Sequence, residues 1–415
     1  MSVESRGNMT RRQFAQTSAA AGFAILASRA AVAQNNGETL TFGVIGTGGR
    51  GFGAGLNMMQ GNDNVKLVGL ADVFEHRVSS ARERYEAIDD PNIASKVDID
   101  PEKCFVGLDA YQQLIDTDVD IIVHATPPYC RPQHIEAAVD AGKHIFTEKP
   151  AAVDPVGIRR FIAAAEKAEE MGLSFVSGFQ RRYQTSYRDT IARLQDGEIG
   201  EILAARAYWN GSLPFSHERQ DDENDLEYRL RNWYNYCWVC GDNIVEQHIH
   251  NVDVVNWVLG EHPVAVIASG GRAWKPREER YGDTWDNFTC DFEYASGVHM
   301  LSMSRHWNNS HSAVFEEVTG VDGKSNCRNL AEDDGDPYIQ EQTYLVQSIR
   351  GEGPYLNDGV AMANSTMTAI MGRMAAYTGQ RLTWDDAINA DLSLVPDDLS
   401  FDNEYPVGPI PIPGS

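Results

Sequence analysis

Lys149 stands in Glu148-Lys149-Pro150, directly after the strand-type run His144-Ile145-Phe146-Thr147. A lysine pinned by proline at the mouth of a sheet can donate a hydrogen bond to a hydroxyl and steady the alkoxide that forms as the hydroxyl proton leaves. Far along the chain, Glu246, His250 and Asp253 recur at i, i+4 and i+7 within residues 241–257, a spacing that predicts one face of a single helix. An acid one turn before a histidine orients the imidazole and raises its basicity, as a base acting near neutral pH requires. Lys149, His250 and Glu246 are therefore the expected catalytic residues. His248 falls on another face, so this helix does not assemble a Glu-His-His metal site and no metal is expected. Upstream, Arg229, Arg231, Asn232, Trp233, Tyr234, Tyr236 and Trp238 crowd into ten residues, after a strand ending in Trp209 and Asn210. Aromatic faces interleaved with amide and guanidinium donors suit a pyranose ring, so Arg231, Trp233 and Tyr236 are expected to contact a carbohydrate or polyol.

These residues need elements to position them, and the first is residues 39–72. The run Leu40-Thr41-Phe42-Gly43-Val44-Ile45 stops at Gly46-Thr47-Gly48-Gly49-Arg50-Gly51, and a second run, 65–71, ends in Asp72. This is a strand, a G-x-G-x-x-G turn, a helix and a second strand closed by an acid, the order of a dinucleotide-binding unit. Gly46 permits the sharp turn, Gly48 lets the backbone approach a pyrophosphate, and Gly51 lets the helix lie close on the sheet. Asp72 is placed to accept bonds from the adenosine ribose hydroxyls and to repel a 2′-phosphate, which favours NAD over NADP, although His76 and Arg77 partly offset that charge.

After Asp72 a charged helix is expected over 75–87, a polar loop over 89–103, a short helix over 109–116 and a buried strand over 120–125 ending in Thr126-Pro127-Pro128. A helix over 132–141, capped by Gly142, leads to the strand before Lys149, and another runs over 155–171. Strands alternating with helices predict a doubly wound parallel sheet with ligands at its carboxyl ends, where Thr126, Pro127, Glu148 and Lys149 sit. Beyond, runs at 202–208, 264–270, 287–294 and 298–304 follow one another as strands and predict an antiparallel sheet. The expected fold is α/β: a Rossmann domain over 38–155, an α+β domain with a large, mostly antiparallel open sheet over 156–396, and a proline-rich tail over 397–415 that wraps the surface or a neighbouring subunit.

Residues 1–33 stand apart. Thr10-Arg11-Arg12-Gln13-Phe14, a short Ala-rich run and Ala31-Val32-Ala33 predict a twin-arginine export signal, and hence a periplasmic or otherwise exported protein whose cofactor is loaded before export and held tightly. A net charge of −25 argues against nucleic acid and membrane partners. The six cysteines are too scattered for a disulfide framework, and Cys237-Trp238-Val239-Cys240 reads as packing.

Gly46-x-Gly48-x-x-Gly51, Ala125-Thr126-Pro127 with His134 beyond it, and Ala141-Gly142-Lys143-His144 running into Glu148-Lys149-Pro150 together resemble the Gfo/Idh/MocA family, named for glucose–fructose oxidoreductase, inositol dehydrogenase and rhizopine catabolism. The resemblance spans residues 39 to about 385. It implies NAD(P)-dependent hydride transfer at a carbinol carbon, with Lys149 and His250 matching the family's lysine and histidine and Asp253 its last acid. Two positions depart from the pattern: Asp242 replaces a glycine and Glu246 an aspartate. The resemblance also places Arg181, Arg182 and Tyr183 beside substrate, adds His134 to the cofactor site, and implies a homo-oligomer, dimer or tetramer, built on the second domain. Two other readings use the same residues: a redox-neutral, NAD-dependent glycosidase or lyase working through a 3-keto intermediate, and a non-catalytic nucleotide- or sugar-binding protein.

Overall fold

The computed structural model describes residues 37–414; the twin-arginine stretch lies outside them. The first sheet is built from β1 (Leu40–Ile45), β2 (Val65–Asp72), β3 (Cys104–Val106), β4 (Ile121–His124), β5 (His144–Thr147) and β6 (Phe175–Ser177), in the order β3-β2-β1-β4-β5-β6. Every pairing in it is parallel. Its strands are continuous apolar runs because helices cover both faces: α1 (Gly49–Gly61), α2 (Glu75–Glu86), α3 (Ala110–Ile115), α4 (Arg131–Asp140) and α5 (Pro155–Glu170). The strand order reverses between β1 and β4, so the crevice above their carboxyl ends lies between Gly46 and Thr126.

The second sheet contains β7 (Ile202–Gly211), β8 (Pro263–Gly271), β9 (Asn287–Tyr294), β10 (His299–His306), β11 (Ala313–Gly320), β12 (Lys324–Ser325) and β13 (Leu382–Thr383), in the order β12-β11-β7-β10-β9-β8-β13. Only β10 and β7 run parallel, so the sheet is mostly antiparallel as expected. Residues of β9 alternate between buried and half-buried, the signature of a sheet covered on one face. The cover is the 20-residue helix spanning Gly359–Thr378, which comes so near that a Cβ on Gly372 would lie 2.8 Å from the Phe292 ring. Among the described residues no helix is long and apolar enough to cross a membrane.

The structure departs from the sequence reading in several places. The parallel sheet runs past residue 155, because β6 completes it. The helix Pro337–Arg350, from the far end of the chain, returns to the first half, with Thr343 Oγ1 donating to the Gly61 carbonyl and Asn62 Nδ2 to the Gln342 carbonyl. β11 was not foreseen, and the polar stretch 89–103 holds a helical turn, Pro91–Ala94. The tail wraps its own chain: Tyr405 N–H donates to Asp225, and Trp285 Nε1–H to the Pro411 carbonyl.

Candidate active site

A cavity of about 1050 Å³ lies over the carboxyl ends of β1, β2, β4 and β5 and is walled on its far side by the second half of the chain. At its floor the glycines of the turn act as the residue types require. Gly46 has φ +86°, and a Cβ there would press 2.8 Å from the Ala125 carbonyl carbon. One on Gly51 would sit 1.8 Å from the Gly46 carbonyl oxygen, so only glycine lets α1 start this close to the strand. Cβ positions on Gly48 and Gly49 meet no protein atom nearer than 3.6 Å, which leaves both backbones open to a ligand. α1 carries no acid in its first turn and no side chain caps it, so its free N–H groups remain available to an anion. Asp72 is buried beside the cavity, where Oδ2 accepts from Thr47 N–H (2.8 Å) and Oδ1 from Phe74 N–H (3.0 Å). Arg77 lines the same end, its guanidinium 5.1 Å from the Phe74 ring centroid. The glycine cradle, bare helix start and ribose-side acid fit a bound dinucleotide.

At the other end, Lys149 Nζ donates to the Glu246 carbonyl (2.7 Å) and to Glu246 Oε1 (2.9 Å), which joins the two halves of the chain. This pair also explains why the expected continuous helix is broken. The Glu246 carbonyl, which would accept from His250 N–H in an α-helix, is taken by lysine, and His250 N–H reaches only the Gln247 carbonyl at 3.4 Å. The segment splits into a turn, Asn243–Glu246, and the helix Ile249–Leu259. Glu246 therefore does not orient His250 by a hydrogen bond: its Oε2 has no partner, and neither does His250 Nδ1. The expected rise in imidazole basicity is reversed. Burial first, then Lys149, Arg181 and Arg50, push the His250 pKa well below the ordinary histidine value, while burial raises that of Glu246 against the pull of Lys149 and Arg131.

Asp242, which occupies the family's glycine position, has φ 74° and ψ 168°, a region almost restricted to glycine. It is held there by full burial and by bonds from Asn243 N–H (2.6 Å), Trp285 N–H (2.8 Å) and the Tyr377 hydroxyl (2.6 Å). The carboxylate replaces the lost backbone freedom with a network that fixes the turn carrying Glu246.

Of the residues expected at the site, Gly46, Gly48, Gly49, Arg50, Asp72, Thr126, Pro127, His134, Glu148, Lys149, Arg231, Trp233, Glu246 and His250 line this one cavity. Thr47 and Gly51 support the turn from behind. Arg182, Tyr183 and Tyr236 are not among the lining residues, which corrects the expectation of substrate contact. Arg182 makes a bidentate pair with Asp253 (2.9 and 2.7 Å), Tyr183 bonds Asp358, and Tyr236 is buried against Arg229. Arg231 reaches the wall but is engaged by Glu223 and the Glu218 carbonyl. Arg50 is held by Glu148 and by Glu341. His134 stacks on Tyr111 at 3.7 Å and meets His124 Nε2 at 3.1 Å. His124, Cys130 and His134 bring ligand-type atoms within 4.8 Å of one another, but hydrogen bonds account for the cluster and the buried Arg131 beside it opposes a cation. Phe215, His217, Tyr338 and residues 393 and 395–399 also line the cavity and were missed. The aromatic crowding at 229–238 pointed near the first two, while the others carry no local sequence signal.

Fold and cavity together define a two-domain, dinucleotide-dependent oxidoreductase. Residues 40–175 match the model described as an oxidoreductase family with an NAD-binding Rossmann fold, and residues 187–324 match the GFO/IDH/MocA C-terminal domain. The chain belongs to the Gfo/Idh/MocA family, and its cofactor is NAD. It is 27% identical over 281 residues to the scyllo-inositol 2-dehydrogenase (NAD(+)) of Bacillus subtilis, covering 68% of this chain and 71% of that one. It is 27% identical over 260 residues to the 2,7-anhydro-N-acetylneuraminate hydratase of Escherichia coli, spanning 59% of that protein's length and 62% of its own. Its fold resembles scyllo-inositol dehydrogenase from Lactobacillus casei with bound NAD(H) and scyllo-inositol, with a TM-score of 0.65 at 18% identity over 84% of this chain and 99% of the other.

Proposed function

We propose that the protein transfers hydride between a carbinol carbon of a sugar, glycoside or polyol and NAD, with Lys149, Glu246 and His250 at the reacting carbon. One observation carries this reading: Lys149, just past the end of β5, and Glu246 from the second half meet at 2.9 Å in the cavity that also holds the glycine turn and His250. Bound NAD⁺ supplies the hydride acceptor. Lys149 spends two of its three N–H bonds on Glu246 and keeps the third for a substrate hydroxyl. Paired with that carboxylate, its ammonium group stabilises negative charge growing on the oxygen. His250, whose imidazole is pushed toward the neutral form by burial and the neighbouring cations, takes the hydroxyl proton. Trp233 and Phe215 offer aromatic faces to the ring C–H groups.

Asp72 at the ribose end supports NAD over NADP. The hydratase among the relatives favours keeping a second reading, in which transient oxidation next to a leaving group permits elimination and re-reduction without net redox. The arginine pair and small-residue cleavage site support export by the twin-arginine route. On the outer face of the second sheet, the exposed Ile267 and Leu301 flank Asp291 in register and support a homo-oligomer.

The test is protein recovered from the extracytoplasmic fraction, inspected by absorbance and fluorescence for bound NADH while sugars and inositols are titrated in. Steady reduction of bound NAD by a polyol or sugar is the expected result, and light scattering on the sample gives the assembly mass. Cleavage of a chromogenic glycoside with no acceptor would move the assignment to the second reading, and an inert, nucleotide-free protein would overturn both.

A further inference from the structure

Both family matches end by residue 324, yet residues 393, 395–399 line the dinucleotide cavity together with Gly46, Asp72 and Thr126. They belong to a stretch without helix or strand that is fastened at both ends. At its start Arg159 donates to the Ile388 and Ala390 carbonyls (2.6 and 2.9 Å), and Leu394 N–H to the buried Asp154 (2.8 Å). At its end Tyr405 is a buried anchor. Its N–H bonds Asp225 (2.8 Å), its carbonyl accepts from Arg229 (2.7 and 3.2 Å), its ring stacks on Trp238 at 5.9 Å, and its hydroxyl accepts from Ser400 N–H (2.8 Å). Between the anchors, Val395 and Leu399 join the apolar cluster that includes Val73, Phe74 and Leu108, the residues just past the β2 and β3 ends where Asp72 would meet the adenosine ribose.

We propose that residues 393–405 form a strap over the adenosine end of the dinucleotide site and hold NAD as a resident group rather than an exchanging cosubstrate. The inference rests on the dinucleotide reading of this cavity. Release of the nucleotide then requires the strap to lift. A segment with no ladder hydrogen bonds and only three half-buried apolar side chains, Val395, Leu399 and Phe401, between its anchors opens locally far more easily than the protein unfolds, so strap opening sets the release rate. The anchors are side-chain and backbone groups of this chain, so retention belongs to each subunit.

The experiment is a trap measurement on the full chain: protein charged with NADH is mixed with excess NAD⁺, and loss of the bound-NADH fluorescence gives the release rate. The double variant V395S/L399S, which removes the two apolar contacts that line the cavity but keeps Phe401 and every anchor, should release NADH about tenfold faster or more. Tyr405→Phe, which keeps the ring and loses only the hydroxyl bonds to residues 398–400, should show a smaller acceleration in the same direction. Thermal unfolding of the nucleotide-free proteins checks that the fold is kept. Release by both variants within twofold of the wild-type rate overturns the strap, whereas failure of the wild-type protein to bind NADH at all overturns the dinucleotide reading instead.

Discussion

His250 shows how much a neighbour changes what a residue type can do. From spacing alone, Glu246 should have made the imidazole more basic; in the fold, Lys149 intercepts the carboxylate and the imidazole is left with burial and positive charge. Its acidic limb in kcat/KM should accordingly lie below the ordinary histidine value of about 6.5, with activity flat above it. Because the folded pKa is depressed, the group's contribution to stability is complete above the unfolded value and is lost as pH falls through the folded one. Lys149→Met removes the second-largest cause of the depression, so an NMR titration of the His250 ring should show its pKa moving upward. The same variant should lose roughly 10³-fold or more in turnover while keeping bound nucleotide, because the charge facing the developing alkoxide is gone. Near-normal turnover would remove Lys149 from the chemistry. Lys149, Glu246 and His250 could be singled out in the sequence because each type suits the proposed task, and the fold brings them to one cavity. Their bonding was not legible there, since it depends on which of two remote groups reaches the carboxylate first.

At the scale of elements, the strand, glycine turn, helix and acid of residues 40–72 were legible because every requirement there is local: a backbone sign at Gly46, a missing Cβ at Gly51, an acid at a strand end. The glycines also separate structural from binding roles. Gly51→Ala places a methyl 1.8 Å from a backbone oxygen that cannot yield without moving the turn, and should cost about 1–3 kcal/mol or more in urea unfolding. Gly48→Ala meets only the Arg77 guanidinium at 3.6 Å, so it should unfold at the wild-type midpoint and lose NAD affinity, read by calorimetry. Equal unfolding midpoints for the two variants would show that the close approach at Gly51 is not what fixes the turn. The helix expected at 241–257 differs for the opposite reason: its break is imposed by remote residues, by Lys149 of the first half on the Glu246 carbonyl and by the Trp285 and Tyr377 bonds that hold Asp242 at positive φ. Periodicity reports the faces of a helix and carries no trace of a hydrogen bond captured by a residue 97 positions away.

The molecule as a whole is closed around its cavity by segments that are remote in sequence, and this was the least legible level. Arg50 of the glycine turn pairs with Glu148, the neighbour of Lys149, and with Glu341 on the helix that returns from the far end of the chain. Its guanidinium also lies 4.8 Å from the Tyr338 ring centroid. Arg50, expected to bind cofactor, lines the cavity and is also a brace between the turn, the residue following β5 and that returning helix. Glu341 is fully buried, and burial raises its pKa well above the carboxylate range against the pull of Arg50. A raised folded pKa means that its favourable contribution is present below the unfolded value and is lost as pH climbs through the folded one. Arg50→Met removes the cation that makes ionised Glu341 tolerable and leaves two carboxylates facing each other. The cost should sit near the low end of the roughly 3–5 kcal/mol typical of a broken buried pair, because Arg50 keeps some contact with solvent. The deficit should shrink toward acid, where Glu341 carries its proton: melting temperatures of variant and wild type should lie closer at pH 5 than at pH 7.5. A deficit that is constant with pH would mean that Arg50 acts through packing on Tyr338 and Phe146 rather than through charge.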